Sequence, residues 1–298
     1  MLATLKELVT DAKEKKHAIG AFNTPNLETL RGVIKAAEEL NVPVIISHAE
    51  LHEDLIPLDV MGPIMIQAAR VAKVPVCVHL DHGTNFDVCL KAMHLGFTSV
   101  MYDASTKNFE DNIKETKEIV KVAHALGVSV EAELGYIFNS ELGGGEGRGH
   151  LSAEDFNSLD DAYTNPDLAK IFVENTNVDA LAIAFGTSHG VYLKKPELDL
   201  NRILDIKRKI DVPLVMHGAS GLSEKEYRIA IENGITKINY FSYMSKAGGN
   251  AVVNFIKEAD AKEETVFFHD LALIAEKAIK ENAKNALMIF NMMKRVDV

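Results

Sequence analysis

Short apolar runs rich in β-branched residues recur through the chain, and between them lie longer segments with apolar residues at helical spacing. Residues 3–16 place Leu5, Leu8, Val9 and Ala12 on one face and predict an amphipathic helix. Ala18–Asn23 predicts a first strand, with Thr24 and Pro25 opening a helix that runs to Leu40. Pro43–His48 predicts a second strand, followed after a loop by a helix over 61–73. A third strand begins at Val74 and breaks at Gly83, directly after the adjacent pair Asp81 and His82; a helix over 86–95 follows. Thr98–Asp103 predicts a fourth strand and 109–126 a long amphipathic helix. Val128–Gly135 predicts a fifth strand.

After Gly135 the alternation lapses. Residues 136–163 contain Gly143, Gly144, Gly145, Gly147 and Gly149 among several acids, and predict a mobile loop longer than an ordinary connection. Helical spacing resumes over 166–174. Strands over 180–185, 213–217 and 236–241 then alternate with helices over 199–210 and 223–233. The remainder reads as helical, with an interruption at 263–269. Eight strands alternate with helices and no linker divides them, the pattern of a closed (β/α)8 barrel, the TIM barrel, with extra N- and C-terminal helices. The whole chain, 1–298, is read as one such domain. An open doubly wound sheet is the alternative, weakened because no Gly-x-Gly-x-x-Gly follows the first strand.

In such a barrel the chemistry sits at the C-terminal ends of the strands. Asp81 and His82 end the third strand, Asp103 the fourth and Glu133 the fifth. His189 follows the sixth, His217 ends the seventh and Asn239 lies near the end of the eighth. Three histidines at strand ends, each near a glycine, suit a divalent transition metal with one position left open. Asp103 and Glu133 are expected either to orient those imidazoles or to hold a second divalent position. Gly186–Gly190 and His217–Gly221 bring backbone N–H groups and hydroxyls together after strands six and seven. Ser220 and Gly221 precede a helix, a setting that suits an anion such as phosphate. His79 is expected inside the barrel below the site, and His48, ending the second strand, as a substrate contact. His17, His52, His94, His124, His150 and His269 are read as solvated or packing residues.

Composition narrows the picture. The chain of 298 residues is 47% hydrophobic and 25% charged, ordinary for a folded domain with a sizeable core. A formal net charge of -11 argues against nucleic acid as a partner. Cys77 and Cys89, in a predicted strand and a predicted helix, give no disulfide framework and suit a reducing compartment. No apolar run is long enough to cross a bilayer and no signal-peptide core is seen, so a cytoplasmic protein without membrane partners is expected.

Five segments, in order, carry a resemblance: His79-Leu-Asp-His-Gly83, Phe97-Thr-Ser-Val-Met-Tyr-Asp103, Ser129-Val-Glu-Ala-Glu-Leu-Gly135, Gly186-Thr-Ser-His-Gly190 and His217-Gly-Ala-Ser-Gly221. Together they resemble the class II, metal-dependent ketose-bisphosphate aldolases, the fructose- and tagatose-bisphosphate enzymes of carbohydrate metabolism. The resemblance runs from Ala18 to at least Asn239. It implies a zinc ion on His82, His189 and His217, polarising the ketone of dihydroxyacetone phosphate. It implies that Asp81 shuttles the proton of the hydroxyl that becomes the aldehyde, and that Asn239 hydrogen-bonds substrate oxygens. The C–H proton would be taken by a loop glutamate, Glu141 by position, with Glu146 as the fallback. Gly190, Gly218, Ala219 and Ser220 match the phosphate cradle, beside which a monovalent cation, sodium or potassium, is expected. Ser242, Asn23 and Ser47 complete the expected substrate contacts. Lys237 is read as structural rather than as a Schiff-base nucleophile. Relatives are dimers or tetramers, so a homodimer or homotetramer is expected.

The chain departs from the family pattern after Asn239. Phe241 stands at a polar position, Tyr243 at an acidic one and Ser245 where an arginine would grip a second phosphate; Lys246 would point elsewhere on a helix. The second strand ends Ser47-His-Ala-Glu-Leu-His52 instead of in a small glycine turn. The expectation is that the dihydroxyacetone phosphate half of the site is kept and the aldehyde half altered. Two other readings are a metal-dependent sugar-phosphate isomerase or epimerase and a non-catalytic subunit that supports a partner enzyme.

Overall fold

The computed structural model describes residues 1–140, 155–156 and 158–294. Eight parallel strands close into a barrel: β1 Ile19–Asn23, β2 Val44–Ala49, β3 Val76–Gly83, β4 Ser99–Tyr102, β5 Ser129–Leu134, β6 Ala180–Ile183, β7 Leu214–Met216 and β8 Ile235–Asn239. Each strand pairs with its sequence neighbours, and β8 returns to β1. This is the (β/α)8 barrel expected from the alternation, with additional helices at both ends of the chain. Every residue of β1 to β5 is buried, as strands covered on both faces must be.

Local signals fix where the helices begin. Thr4 and Glu7 form a reciprocal capping box on Leu5–Lys15, and Asn26 with Thr29 does the same for Leu27–Leu40. Asn85 and Asn108 accept backbone N–H bonds at the starts of Phe86–Leu95 and Phe109–Ala125. The helix expected over 61–73 starts earlier, at Leu58. Pro63 sits inside it, in the second turn, where its missing N–H removes one helical backbone bond.

Two apolar layers result. Outside the strands, outward-facing residues such as Val44, Ile46, Val76, Val78 and Leu80 pack beneath the helices. Inside, Ile19, Ala21, Ile45, Cys77, Ala180, Ala182 and Val215 meet Leu5, Leu8, Val9 and Ala12 of the first helix. That helix plugs the N-terminal mouth and leaves the C-terminal mouth for chemistry. At the other end of the chain, Ser242–Ala261 and Phe268–Phe290 form a helical hairpin, and Ile279 fits against Gly32 of Leu27–Leu40, where a Cβ would lie 2.7 Å from its side chain.

One pairing was absent from the sequence reading. Phe138–Asn139, after β5, pairs in parallel with Ser188–His189, after β6. Ser140 adds a backbone bond of 2.8 Å to His189 and a hydroxyl bond of 2.6 Å to the Val191 carbonyl. The loop after β5 is thus tied at its start to the segment that carries His189; most of the glycine-rich part lies outside the described residues.

Candidate active site

Side chains of a strand alternate between its faces, so parity decides which residues see the barrel interior. Ile45 and Cys77 belong to the inner layer, and the same parity turns Ser47, His79 and Asp81 inward. Asn23, Asp103, Glu131, Glu133, His217, Lys237 and Asn239 share that inward sense on their own strands. His48 has the opposite parity. It is wholly buried on the outer side, its Nε2 3.7 Å from Glu53, so it is not the substrate contact expected of it.

His82 should also face outward, one residue after Asp81. Two features turn it back. Between Leu80 and Gly83 the pairing of β3 with β4 slips by one residue, a bulge. His82 itself takes the left-handed region, with φ 50°. Gly83 makes the bulge feasible, because a Cβ there would lie 2.8 Å from the Met101 carbonyl oxygen and 2.9 Å from Cys89 Sγ. The Asp-His-Gly sequence at the end of β3 is therefore the local code that lets two consecutive polar residues enter one site.

The three imidazoles converge. His82 lies 4.8 Å from His217 and 5.2 Å from His189 between ring centroids, and all three are buried. One donor atom from each falls within 4.8 Å of the others. Asp103 Oδ2 stands 2.6 Å from His82 Nδ1, and Asp103 Oδ1 accepts from Ser105 N–H at 3.0 Å and from its hydroxyl at 2.7 Å. With Nδ1 donating to Asp103, His82 Nε2 presents a lone pair to the site. Glu131 Oε1 holds His217 Nε2 at 2.8 Å, leaving His217 Nδ1 to face inward.

The two inward nitrogens, His82 Nε2 and His217 Nδ1, are 3.2 Å apart, and Glu133 Oε2 is 3.3 Å from the latter. With both rings neutral these are two lone pairs aimed at one another, and a cation, either a proton on His217 or a metal ion, must lie between them. Two nitrogens on a tetrahedral ion with bonds of about 2.0 Å are separated by about 3.3 Å. His189 adds two buried ring nitrogens without a hydrogen-bond partner among the described residues. The donor set therefore fits a divalent metal. His82, Asp103 and Glu133 also bring one donor atom each within 4.8 Å of one another, the pair of acids expected to orient imidazoles or to offer a second position.

The electrostatics agree with a cationic centre. Burial works against protonation of His217, but its bonds to Glu131 and Glu133 push its pKa up to about 10. Burial and the neighbouring charges of His82 and His217 hold His189 well below the usual range. Glu133 is raised by burial and by Asp103. For Asp81, burial opposes the charged form, yet His82, His217 and Lys237 more than offset it and keep the carboxyl below its usual range.

Asp81 is held between two amides. Asn23 Nδ2 donates to Oδ2 and Asn239 Nδ2 to Oδ1, each at 3.1 Å. Beneath them lies a pair not identified from the sequence as part of the site. Lys237 Nζ is 2.9 Å from Glu131 Oε2 and donates to Asn239 Oδ1 at 2.7 Å, with both charged groups fully buried. His79, inside the barrel as expected, bonds Ser99 at 2.8 Å and lies 3.8 Å from Glu131. Charged residues in mid-strand at inward parity were the available signal for Glu131 and Lys237.

The glycine segments also assemble. Gly218, with φ 59°, lies so close to the loop after β6 that a Cβ would meet the Ser188 carbonyl carbon at 2.6 Å. Gly190 also takes positive φ, Ala219 is buried, and Ser220 Oγ accepts from Phe241 N–H at 3.1 Å. Ser242 begins the helix Ser242–Ala261, whose N-terminus has no side-chain cap. Ser47 is buried at the end of β2. Glu141 and Glu146 lie outside the described residues.

Comparison with known proteins fits this geometry. The sequence model described as fructose-bisphosphate aldolase class-II matches residues 3–295. The fructose-bisphosphate aldolase of Thermus caldophilus is 36% identical, over 99% of this chain and 100% of that protein. The crystal structure of the YdjI aldolase from Escherichia coli K12 superposes with a TM-score of 0.83 at 38% identity, covering 97% of each chain. The fructose-bisphosphate aldolase of Campylobacter jejuni shares the fold, with a TM-score of 0.77 at 21% identity over 98% of this chain and 96% of that one. A barrel whose rim carries these histidines, and whose sequence matches from end to end, belongs to the class II fructose-bisphosphate aldolase family.

Proposed function

We propose that the protein catalyses the reversible aldol cleavage of a ketose phosphate to dihydroxyacetone phosphate and an aldehyde. The observation that carries this reading is the convergence of His82, His189 and His217 beside Asp81, a carboxylate clasped by Asn23 and Asn239. A divalent ion, zinc by family resemblance, on those histidines would supply Lewis-acid polarisation of the ketone. Asp103 and Glu131 fix the ring orientations of His82 and His217, so the donor nitrogens are aimed before substrate arrives.

In cleavage, Asp81 accepts the C4 hydroxyl proton. The electrons of the C3–C4 bond pass into the enediolate of dihydroxyacetone phosphate as the aldehyde departs, and a general acid then returns a proton to C3. The resemblance gives that last role to Glu141. Asp81 enters the step as the carboxylate, since its pKa lies below the usual carboxylate range, and its two oxygens are oriented by amide donors. Asn239 is oriented in turn by Lys237, which occupies its carbonyl oxygen and leaves its N–H2 toward the site. The backbone of Gly190, Gly218, Ala219 and Ser220, with the uncapped N-terminus at Ser242, suits the phosphate.

The test is release of dihydroxyacetone phosphate from a panel of ketose mono- and bisphosphates, with and without chelator. Chelator-sensitive release supports the reading. Interconversion of intact ketoses without release would instead support an isomerase or epimerase. A protein that binds zinc and turns over none of them would be a non-catalytic relative.

A further inference from the structure

The rim over β1 is closed by a contact between its two neighbours in the barrel. His52, in the short helical turn Glu50–Asp54 after β2, lies against Phe241, just past β8, with ring centroids 5.2 Å apart. β1 runs between β2 and β8, so this contact passes over its end, where Asn23 meets Asp81. Both partners are anchored. Glu50 in the same turn accepts from Thr84 N–H at 2.6 Å and from its hydroxyl at 2.8 Å, while Ser220 Oγ holds Phe241 N–H at 3.1 Å.

His52 is buried, and its Nδ1 has no hydrogen-bond partner among the described residues. A buried unpaired ring nitrogen is costly unless something supplies its partner. The segments that leave β1, β2 and β8, residues 24–26, 50–57 and 240–245, contain no lysine or arginine. Lys246 follows, but its Nζ lies over the Tyr243 ring, 5.8 Å from the centroid. This rim offers aromatic surface and a neutral hydrogen-bonding ring, and those segments carry no cation to grip a phosphate.

We propose that His52 and Phe241 form the wall of the aldehyde subsite. There His52 bonds a hydroxyl of an uncharged hydroxyaldehyde, and Phe241 packs along its carbon chain. The inference rests on the aldolase reading above and adds the class of the second substrate and the residues that select it. Burial lowers the pKa of His52, with Asp81 opposing, which keeps the ring neutral near pH 7 and suits a hydroxyl better than a phosphate.

The experiment is aldol condensation by the zinc-loaded enzyme, with dihydroxyacetone phosphate as donor and either glyceraldehyde or glyceraldehyde 3-phosphate as acceptor. Wild-type enzyme is expected to favour glyceraldehyde in kcat/KM. His52→Phe is expected to raise the glyceraldehyde KM about tenfold, the loss of one hydrogen bond, with the dihydroxyacetone phosphate KM as internal reference. His52→Gln, which keeps a donor and an acceptor, should recover most of that loss, and equal zinc content in both variants shows that they are folded. Preference for glyceraldehyde 3-phosphate, or an unchanged glyceraldehyde KM in His52→Phe, overturns the inference. Exchange of the donor C–H proton with solvent needs no aldehyde. Wild-type enzyme that exchanges it but fails the acceptor test sinks the subsite alone, whereas absence of exchange sinks the aldolase reading and the subsite with it.

Discussion

The Lys237 ammonium donates to the Asn239 carboxamide oxygen at 2.7 Å, and that bond decides which end of the amide faces Asp81. The same ammonium lies 2.9 Å from Glu131, whose other oxygen holds His217. One buried charge therefore orients both the carboxylate proposed as base and a histidine proposed as metal ligand, although neither touches Lys237 directly.

Replacing Lys237 with Met leaves Glu131 buried beside a weaker set of partners and frees the Asn239 amide to rotate. Lys237→Met should cost about 3–5 kcal/mol of stability, as breaking a buried ion pair does. Urea unfolding measures that loss. Adding Glu131→Gln should restore part of the stability while cleavage stays low, because the Asn239 amide does not regain its Lys237 donor.

Asp103→Ala removes the acceptor that fixes the His82 ring. Zinc affinity should fall about 10- to 100-fold, the usual effect of losing a carboxylate partner of a ligating imidazole. Competition against a chromogenic chelator reads this without any substrate. His189→Ala, which deletes a donor outright, should lose more.

Gly83→Ala tests the bulge. The added methyl meets the Met101 carbonyl, a backbone atom that cannot swing aside. A destabilisation of about 1–3 kcal/mol is expected from the overpacking. Zinc affinity should fall with it, since relaxing the bulge turns His82 out of the site.

His48 sets a pH dependence away from the metal centre. Burial, together with the charge of His52, lowers its pKa from 6.5 to about 4. Above pH 6.5 the ring is neutral in both folded and unfolded chains. As pH falls from 6.5 to 4 the unfolded chain takes up a proton that the folded chain refuses, so stability declines, by about 3 kcal/mol from this one group. Urea midpoints for wild type and His48→Asn at pH 7 and pH 4.5 should show a smaller acid loss in the variant.

The strands, their order, and the positions of His82, His189, His217 and Asp81 were legible because apolar runs ending in polar residues and glycine are local signals. Glu131 and Lys237 were not. They are 106 positions apart, and only barrel closure reveals that each is the other's partner. The direction of His82 was equally hidden, since strict alternation turns it outward and only the bulge reverses it. His48 failed the other way: it ends a strand as the ligands do, but with the wrong parity. Phe138 and Ser188 are separated by the long loop, and nothing local announces that pairing.

The inner and outer apolar layers have no residue in common. Helices are clamped to the sheet by one set of side chains, while the first helix and the inward strand residues fill the bore with another. Variation at inward, C-terminal positions can therefore re-tool the reaction chamber without loosening the shell. A barrel built this way separates the freedom to change its substrate from the need to remain folded.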